Sequence, residues 1–560
     1  MNEVSVLFLV ILGGVMKIRK VKISNFKCYR GMFETTFKDG VNIIVGNNES
    51  GKSTILEAIN LALTGLLSGR YVRNELSTYL FNRQVEREYI ASLKSSKPQT
   101  PPEISIEVYF SGEGPEYAEF TGDGNSDKVK ASGVTYRIAF NENSYASGYQ
   151  ALLEKKDLNS IPVEYYEASM WSFARKGITA RDIPLKAAMI DSASSRLQNG
   201  SDLYVSRIVK DLLEEDERAS VSQAHRHLRE EFMRDDAIKG INDKLNKAAK
   251  ISRKTVSISV DLSSHTAWES SLMTFVDDVP FHQIGKGEQC IVKTKLALNG
   301  RKATKAPVIL IEEPENHLSH GRLNELLHDI SEESNGKQLI ISTHSSFVAN
   351  KLGLENLAVL RNQNLARVGD LDADKFFRKL AGYDTLRLTL AKRAILVEGD
   401  SDELIVQRAY LDRHGRLPIA DDIDVISVGT SFLRFLELAN KLVIPVAVMT
   451  DNDGDPTAVA KKYANYSTKP GIKVCYDTTV DSGGLQISGL PFNYNTLEPK
   501  LVKENGWQAM AEVIGLKPTS EDDLHRHMKR NKTDCALAIF ESAKKIKYPS
   551  YILEAIGDPS

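Results

Sequence analysis

Residues 46–53 read Gly46-Asn47-Asn48-Glu49-Ser50-Gly51-Lys52-Ser53 and satisfy G-x-x-x-x-G-K-[ST] at every fixed position. Before them, Val41-Asn42-Ile43-Ile44-Val45 is a short apolar run; after them, Ile55, Leu56, Ile59 and Leu63 recur at helical spacing. Strand, loop and helix in that order make a phosphate cradle. Glycines let the backbone curl, and N–H groups at the helix start face the anion with the helix dipole behind them. The loop from Gly46 to Thr54 is therefore the expected nucleotide site, with Lys52 reaching the β- and γ-phosphates and Ser53 a ligand of Mg²⁺.

Downstream, Ile284-Gly285-Lys286-Gly287-Glu288-Gln289 opens a helix expected to begin near Cys290, and makes a second glycine-rich helix start. About twenty residues on, Val308-Ile309-Leu310-Ile311 is a buried-strand pattern ending in Glu312-Glu313. The first acid is placed to hold Mg²⁺ through water, and the second to orient or deprotonate an attacking water. Leu339-Ile340-Ile341-Ser342-Thr343 then delivers His344 to the same sheet edge. Upstream, Ile18, Val21, Ile23 and Phe26 alternate with polar residues, and with Ile104–Phe110 and Tyr136–Phe140 they predict a β-subdomain over the nucleotide.

These pieces resemble the ABC-type ATPase fold: phosphate loop, signature loop (Gly285, Gly287, Gln289), acidic strand (Glu312, Glu313) and switch histidine (His344). The opening Val21-Lys22-Ile23-Ser24-Asn25-Phe26-Lys27 resembles that of the RecF- and SMC-related members. The resemblance implies ATP as cofactor, His344 as γ-phosphate sensor, and a homodimer or higher assembly, since one protomer's signature loop closes on a nucleotide held by another. Glu312 stands where Asp is usual. Residues 181–250 read as a charged helical insertion, a dimerising or DNA-touching element; no long heptad run extends it into a coiled coil.

A second α/β pattern follows a boundary placed near residue 385. Ala394–Val397 is a strand ending in Glu398-Gly399 and leading to Asp402; Asp424–Val428 and Val446–Thr450 are further strands, the last ending in Asp451-Asn452-Asp453. Strands alternating with helices predict a parallel sheet whose site lies at the strands' carboxyl ends. Acids closing two such strands suit hard divalent cations. This constellation resembles the Toprim domain.

An ABC-type half before a Toprim half is similar to the OLD (overcoming lysogenization defect) family of ATP-dependent nucleases. Tyr383-Asp384-Thr385-Leu386-Arg387-Leu388, Val397–Glu403, Val428–Phe432 and Asn531-Lys532-Thr533-Asp534 carry the likeness further. It implies a nuclease site of Glu398, Asp402, Asp451, Asp453 and Glu498 holding two Mg²⁺ or Mn²⁺ ions, with Lys532 steadying the scissile phosphate. Glu398 is expected to be catalytic as well as a ligand. DNA is the implied substrate, and a protein partner in an anti-phage defence system the implied setting. The expected fold is thus α/β: an ABC ATPase in two parts (16–180 and 251–384) around the insertion, then a Toprim domain (385–560).

Composition sets the outer limits. Apolar content of 42%, charged content of 26% and a net charge of -2 describe a globular protein whose DNA contacts must come from local patches. Cys28, Cys290, Cys475 and Cys535 are far apart, which points to a reducing cytoplasm rather than a zinc site or disulfide framework. Val4–Val15 is apolar but too short to span a bilayer, so no membrane role is expected; Met16 reads as the natural start, with a packed hydrophobic extension at 1–15 as the alternative. The rival functional class is an ATP-gated DNA sensor whose Toprim acids serve only as scaffold. A topoisomerase or primase would need further domains, and an SMC-like repair ATPase a coiled coil.

Overall fold

The computed structural model describes residues 16–557, apart from 68, 75, 96, 113–114, 155–157, 192–196, 199–200, 203–204, 206–207, 210–211, 249–257, 260–267, 269–272, 301–302, 305 and 368–382. The N-terminal extension 1–15 lies outside the described residues. The chain divides into two compact units: one runs up to Ile44 and from Asn48 to Leu352, the other takes Val45–Asn47 and everything from Gly353.

In the first unit, β1 (Lys17–Ser24) pairs antiparallel with β2 (Met32–Thr36). Next come β3 (Val41–Val45) and α1 (Lys52–Thr64), the strand and helix on either side of the phosphate loop. Strands β4 (Ile104–Ser111), β5 (Ala131–Phe140) and β6 (Tyr166–Ser172) extend the antiparallel sheet in the order β2-β1-β4-β5-β6. Ile18, Val21, Ile23, Ile106 and Val108 are wholly buried, as their apolar positions predict, but burial does not alternate strictly, because Lys22, Glu107 and Tyr109 on the other face are buried too.

A second sheet carries the nucleotide motifs. Strand β7 (Ala187–Asp191) lies parallel to β8 (Val308–Glu312), β8 parallel to β9 (Gln338–Thr343), and β3 next to β9. Here the sequence reading needs correction. Residues 181–250 are not helical throughout, because Ala187-Ala188-Met189-Ile190-Asp191 is a strand of this sheet. A five-residue apolar run has no readable period, and its charged surroundings favoured helix. The helical part includes α2 (Glu215–Arg234) and α3 (Asp236–Ala248). The signature helix α4 (Lys286–Asn299) starts four residues before Cys290, directly after Gly285. Helix α5 (His320–Glu333) packs Leu323, Leu326, Leu327 and Ile330 against Ile309, Ile311, Leu339 and Ile341.

One side chain ties the two sheets together. Gln338, wholly buried at the start of β9, accepts from the Ile18 N–H at 2.8 Å and donates to the carbonyls of Ile18 at 2.7 Å and Lys38 at 2.8 Å. Pairing of β1 with β2 begins only at Lys20, and its register against β4 slips between Ile18 and Lys20; Ile18 thus stands past the end of β2, where the Gln338 amide replaces a missing strand neighbour.

The second unit is built on a four-stranded parallel sheet: β10 (Arg393–Val397), β11 (Ile423–Ser427), β12 (Val446–Met449) and β13 (Ile472–Cys475), ordered β11-β10-β12-β13. Helices α6 (Asp400–His414) and α7 (Phe432–Leu442) follow the first two strands. Beyond the sheet come α8 (Leu497–Asn505), α9 (Glu521–Arg530) and α10 (Lys532–Glu541). Arg387, from the stretch that resembles the OLD family, donates to the Val425 carbonyl at 2.8 Å. No helix among the described residues is long and apolar enough to cross a membrane.

Replacing Gln338 with leucine removes three hydrogen bonds: the buried Ile18 N–H and carbonyl lose their side-chain partner, whereas the Lys38 carbonyl keeps its bond from Asn42 at 2.8 Å. Gln338→Leu is expected to destabilise the first unit by about 3 kcal/mol, read as a lower denaturant midpoint for its transition. An unchanged midpoint would mean that the amide bonds carry no net stability.

Candidate nucleotide and metal-ion sites

The phosphate loop has the backbone its motif requires. Gly51 holds φ +103 and precedes α1, and a Cβ there would lie 2.8 Å from Cys28 Sγ and 2.9 Å from the Tyr29 hydroxyl, so only glycine fits. Glu49 also adopts positive φ. Gly46 is buried, whereas Asn47, Asn48 and Glu49 are exposed and Ser50 is half-buried. Thr54 Oγ1 accepts from Cys28 Sγ at 3.6 Å.

Lys52 is only 4% exposed. Burial lowers its pKa, and the charges of Glu313, Glu315 and Glu312 work against that shift. In-register parallel pairing brings those acids to one edge: Asp191 at the end of β7 stands opposite Glu312 at the end of β8, and Glu312 opposite Ser342 on β9. The Glu312 carboxyl is pushed up by burial, with Asp191, Glu57 and Glu313 adding repulsion and a hydrogen bond from Ser53 opposing. Ser53 and Glu312, the expected Mg²⁺ ligands, thus touch.

Glu313 sits at φ +40, with its N–H donating to the Ser342 carbonyl at 2.9 Å and its carboxylate accepting from Asn316 at 3.2 Å. Such a conformation is costly for a residue with a side chain, and it turns the Glu313 carboxylate to where His344 Nδ1 lies 3.7 Å away. His344 lies closer to Glu315, at 3.3 Å. Glu315 was absent from the sequence reading. Its Oε1 accepts from Thr343 Oγ1 at 2.6 Å and the His344 N–H at 2.9 Å, while its buried Oε2 has no hydrogen-bond partner among the described residues. The E-x-E spacing of Glu313 and Glu315 was the available signal. Asp191 was missed because its strand was read as helix.

The Gly285–Gln289 turn meets the turn after the acidic strand. A Cβ on Gly287 would come within 2.6 Å of the His317 carbonyl. Gln289 is buried and donates to the Ile284 carbonyl at 2.9 Å, so its side chain holds its own turn and the exposed Gly285 and Lys286 face solvent.

In the second unit, the carboxyl ends of β10 and β12 bring Glu398, Asp402, Asp451 and Asp453 into one electrostatic neighbourhood with Glu498 in the first turn of α8. The Asp451 carboxyl is pushed well above the usual range by burial, then by Asp402, Glu498, Glu398 and Asp453. Asp402 is lifted to about 6, mainly by burial, with Glu498 and Glu398 adding to the shift and the Gly399 N–H opposing it. That N–H donates to Asp402 Oδ2 at 3.0 Å, so Asp402 also caps α6. Asp451 accepts from the Leu497 N–H at 3.3 Å, and Asp453, at φ +47, from Asn493 at 2.9 Å. Lys532, the first residue of α10, lies 3.3 Å from buried Glu498. Burial lowers its pKa, but Glu498, Asp451 and Asp402 raise it by more.

Among the described residues no three His, Cys, Asp or Glu side chains already converge on a point that could hold a metal ion. The donors nevertheless suit hard cations: all are carboxylates, and the raised Asp402 and Asp451 mark negative charge that Lys532 only partly balances. Asn452 between the two aspartates is buried, donating to the carbonyls of Asp477 at 2.6 Å and Thr479 at 2.8 Å. Lys500, also buried, pairs with Asp477 at 2.6 Å and Asp481 at 2.7 Å and so anchors that loop.

A stability test follows from Asp402. Its folded pKa of about 6 exceeds the ordinary 3.8, so the folded chain keeps a proton that the unfolded chain has lost, and stability falls as pH rises across that interval. In EDTA, melting is expected at higher temperature near pH 5 than near pH 7, and Asp402→Asn should flatten the difference. An equal pH dependence in parent and variant would refute the assignment.

Comparison with known proteins agrees with both halves. The AAA ATPase domain model matches residues 16–349, and the TOPRIM domain model of overcoming-lysogenization-defect-like proteins matches residues 390–453. The retron Ec83 probable ATPase of Escherichia coli is 22% identical over 414 residues, 62% of this chain and 72% of that protein. The DNA double-strand break repair Rad50 ATPase of Methanopyrus kandleri is 48% identical over 46 residues, 8% of this chain and 5% of that one. Among solved structures, the SMC head domain from Thermotoga maritima is 14% identical, covering 61% of this chain and 94% of its own, with a TM-score of 0.27. RecF bound to ATP is 12% identical, covering 63% and 99%, with a TM-score of 0.32. The chain belongs to the AAA ATPase domain family, joined here to a Toprim domain of the overcoming-lysogenization-defect-like kind.

Proposed function

We propose that the chain is an ATP-hydrolysing, metal-dependent DNA endonuclease. The observation that carries this reading is the Asp402, Asp451 and Glu498 cluster beside Lys532, on the parallel sheet of a chain that also holds a complete phosphate loop. Lys52 and the loop N–H groups bind the β- and γ-phosphates; Ser53 and Glu312 hold the accompanying Mg²⁺. Glu313 orients the attacking water, and His344, positioned by Glu315, senses the γ-phosphate.

Glu398, Asp402, Asp451, Asp453 and Glu498 hold the nuclease cations. When bound, such ions activate water and stabilise the leaving oxygen of a phosphodiester. Lys532 steadies charge developing on the scissile phosphate. Gly285 and Gly287 serve a nucleotide on a second protomer, which makes a homodimer the working unit. A partner protein in a defence system is part of this proposal, supported only by the retron in the relative's name.

Lys52→Ala is expected to abolish ATP binding, measured with a fluorescent analogue, whereas Glu313→Gln should bind ATP and lose turnover. Undiminished phosphate release by the glutamine variant would remove Glu313 from its role. On supercoiled plasmid in Mg²⁺ or Mn²⁺, Asp451→Ala should nick at least about 100-fold more slowly than the parent, with ATP turnover retained. Nicking at the parent rate would instead support the sensor reading, in which the Toprim acids are scaffold.

A further inference from the structure

Helix α9 ends in His525-Arg526-His527-Met528-Lys529-Arg530, followed by Asn531 and then Lys532 at the start of α10. Leu524, His525 and Met528 form its buried face. Arg526, Lys529 and Arg530, spaced i, i+3 and i+4, share an exposed face. Among the described residues no carboxylate pairs with any of these three, although acids outnumber bases in the chain, 74 to 72, and Asp522 stands one turn before Arg526. Three unpaired cations on one helical face concentrate positive charge where the overall composition provides none.

Two contacts fix this strip next to the acid cluster. The Lys529 ammonium lies 5.7 Å from the ring of Phe492, whose neighbour Asn493 donates to Asp453 at 2.9 Å. The next residue, Arg530, leads within two positions to Lys532, which pairs with Glu498 at 3.3 Å. The last turn of the strip is therefore linked to two metal-ligand candidates, Asp453 and Glu498, and Arg526 continues the same face one turn further from them.

We propose that Arg526, Lys529 and Arg530 form the track that holds the DNA backbone flanking the scissile phosphate. A carboxylate cluster repels a polyanion, so a nuclease site of this kind needs cations just outside it to hold the strand. Guanidinium groups suit the task, since they stay charged and bind phosphate oxygens in pairs. Lys532 differs in role: its pairing with Glu498 places it at the reacting phosphate, whereas the strip takes the phosphates beyond it. The choice of DNA rests on the Toprim nuclease reading.

The test is binding of a short fluorescein-labelled duplex, measured by anisotropy in magnesium buffer and in EDTA across a NaCl series. Arg526→Gln/Arg530→Gln is expected to weaken binding about tenfold at low salt and to flatten the plot of log affinity against log salt by roughly 2, about 1 per lost phosphate contact. Lys529→Gln alone should flatten it by roughly 1. Arg526→Lys/Arg530→Lys should restore the slope. Melting temperature and ATP turnover should match the parent throughout. Parent-like affinity and slope in the glutamine variants would overturn the proposal, as would a parent that binds the duplex in neither buffer. A parent that binds through the strip yet never nicks plasmid would leave the track standing and overturn the nuclease reading instead.

Discussion

Parallel strands held in register end together, and both sites depend on that constraint. In the first unit the pairing sets Asp191, Glu312 and Ser342 side by side, so residues far apart in the chain arrive at one sheet edge without long loops to steer them. In the second, β10, β11 and β12 deliver Glu398 and the Asp451–Asp453 turn in the same way. The cost is electrostatic. Burial first, and the neighbouring carboxylates second, raise the pKa of Glu312, Asp402 and Asp451.

The acids are held in place by ordinary structural bonds. Asp402 caps α6, Asp451 accepts from the first N–H of α8, and Glu315 binds the Thr343 hydroxyl and the His344 N–H. Arg408 secures the helical side of the same arrangement. Buried on α6, it donates to the carbonyls of Ile539 at 3.0 Å and Phe540 at 2.7 Å near the end of α10. The helix carrying Asp402 is thereby clamped to the helix that begins with Lys532. Such clamps reduce what a ligand must spend on ordering the site.

How much of this could be read from the sequence depends on how local each signal is. The phosphate loop, the acidic strand and the acids after β10 and β12 were legible, because each is a short motif whose neighbours set its conformation. Helix α7 is a local signal of the same kind, since its buried Phe432, Phe435, Leu436, Ala439 and Leu442 repeat at helical period. Asp191 was not, because a five-residue strand flanked by charge carries no period of its own and gains its identity only by pairing with β8. Glu315 escaped for another reason. The pattern offered three neighbouring acids, and only the fold shows which of them meets His344.

Gln338 has a consequence for how the protein is made. Its bonds to Ile18 span 320 positions of sequence, so the end of β1 gains this partner only after nearly the whole ATPase unit has been synthesised. Until then β1 can pair with β2 and β4, but the Ile18 N–H and carbonyl lack the Gln338 amide that stands in for a strand neighbour beyond β2. A truncated or stalled product ending before residue 338 lacks that closure altogether.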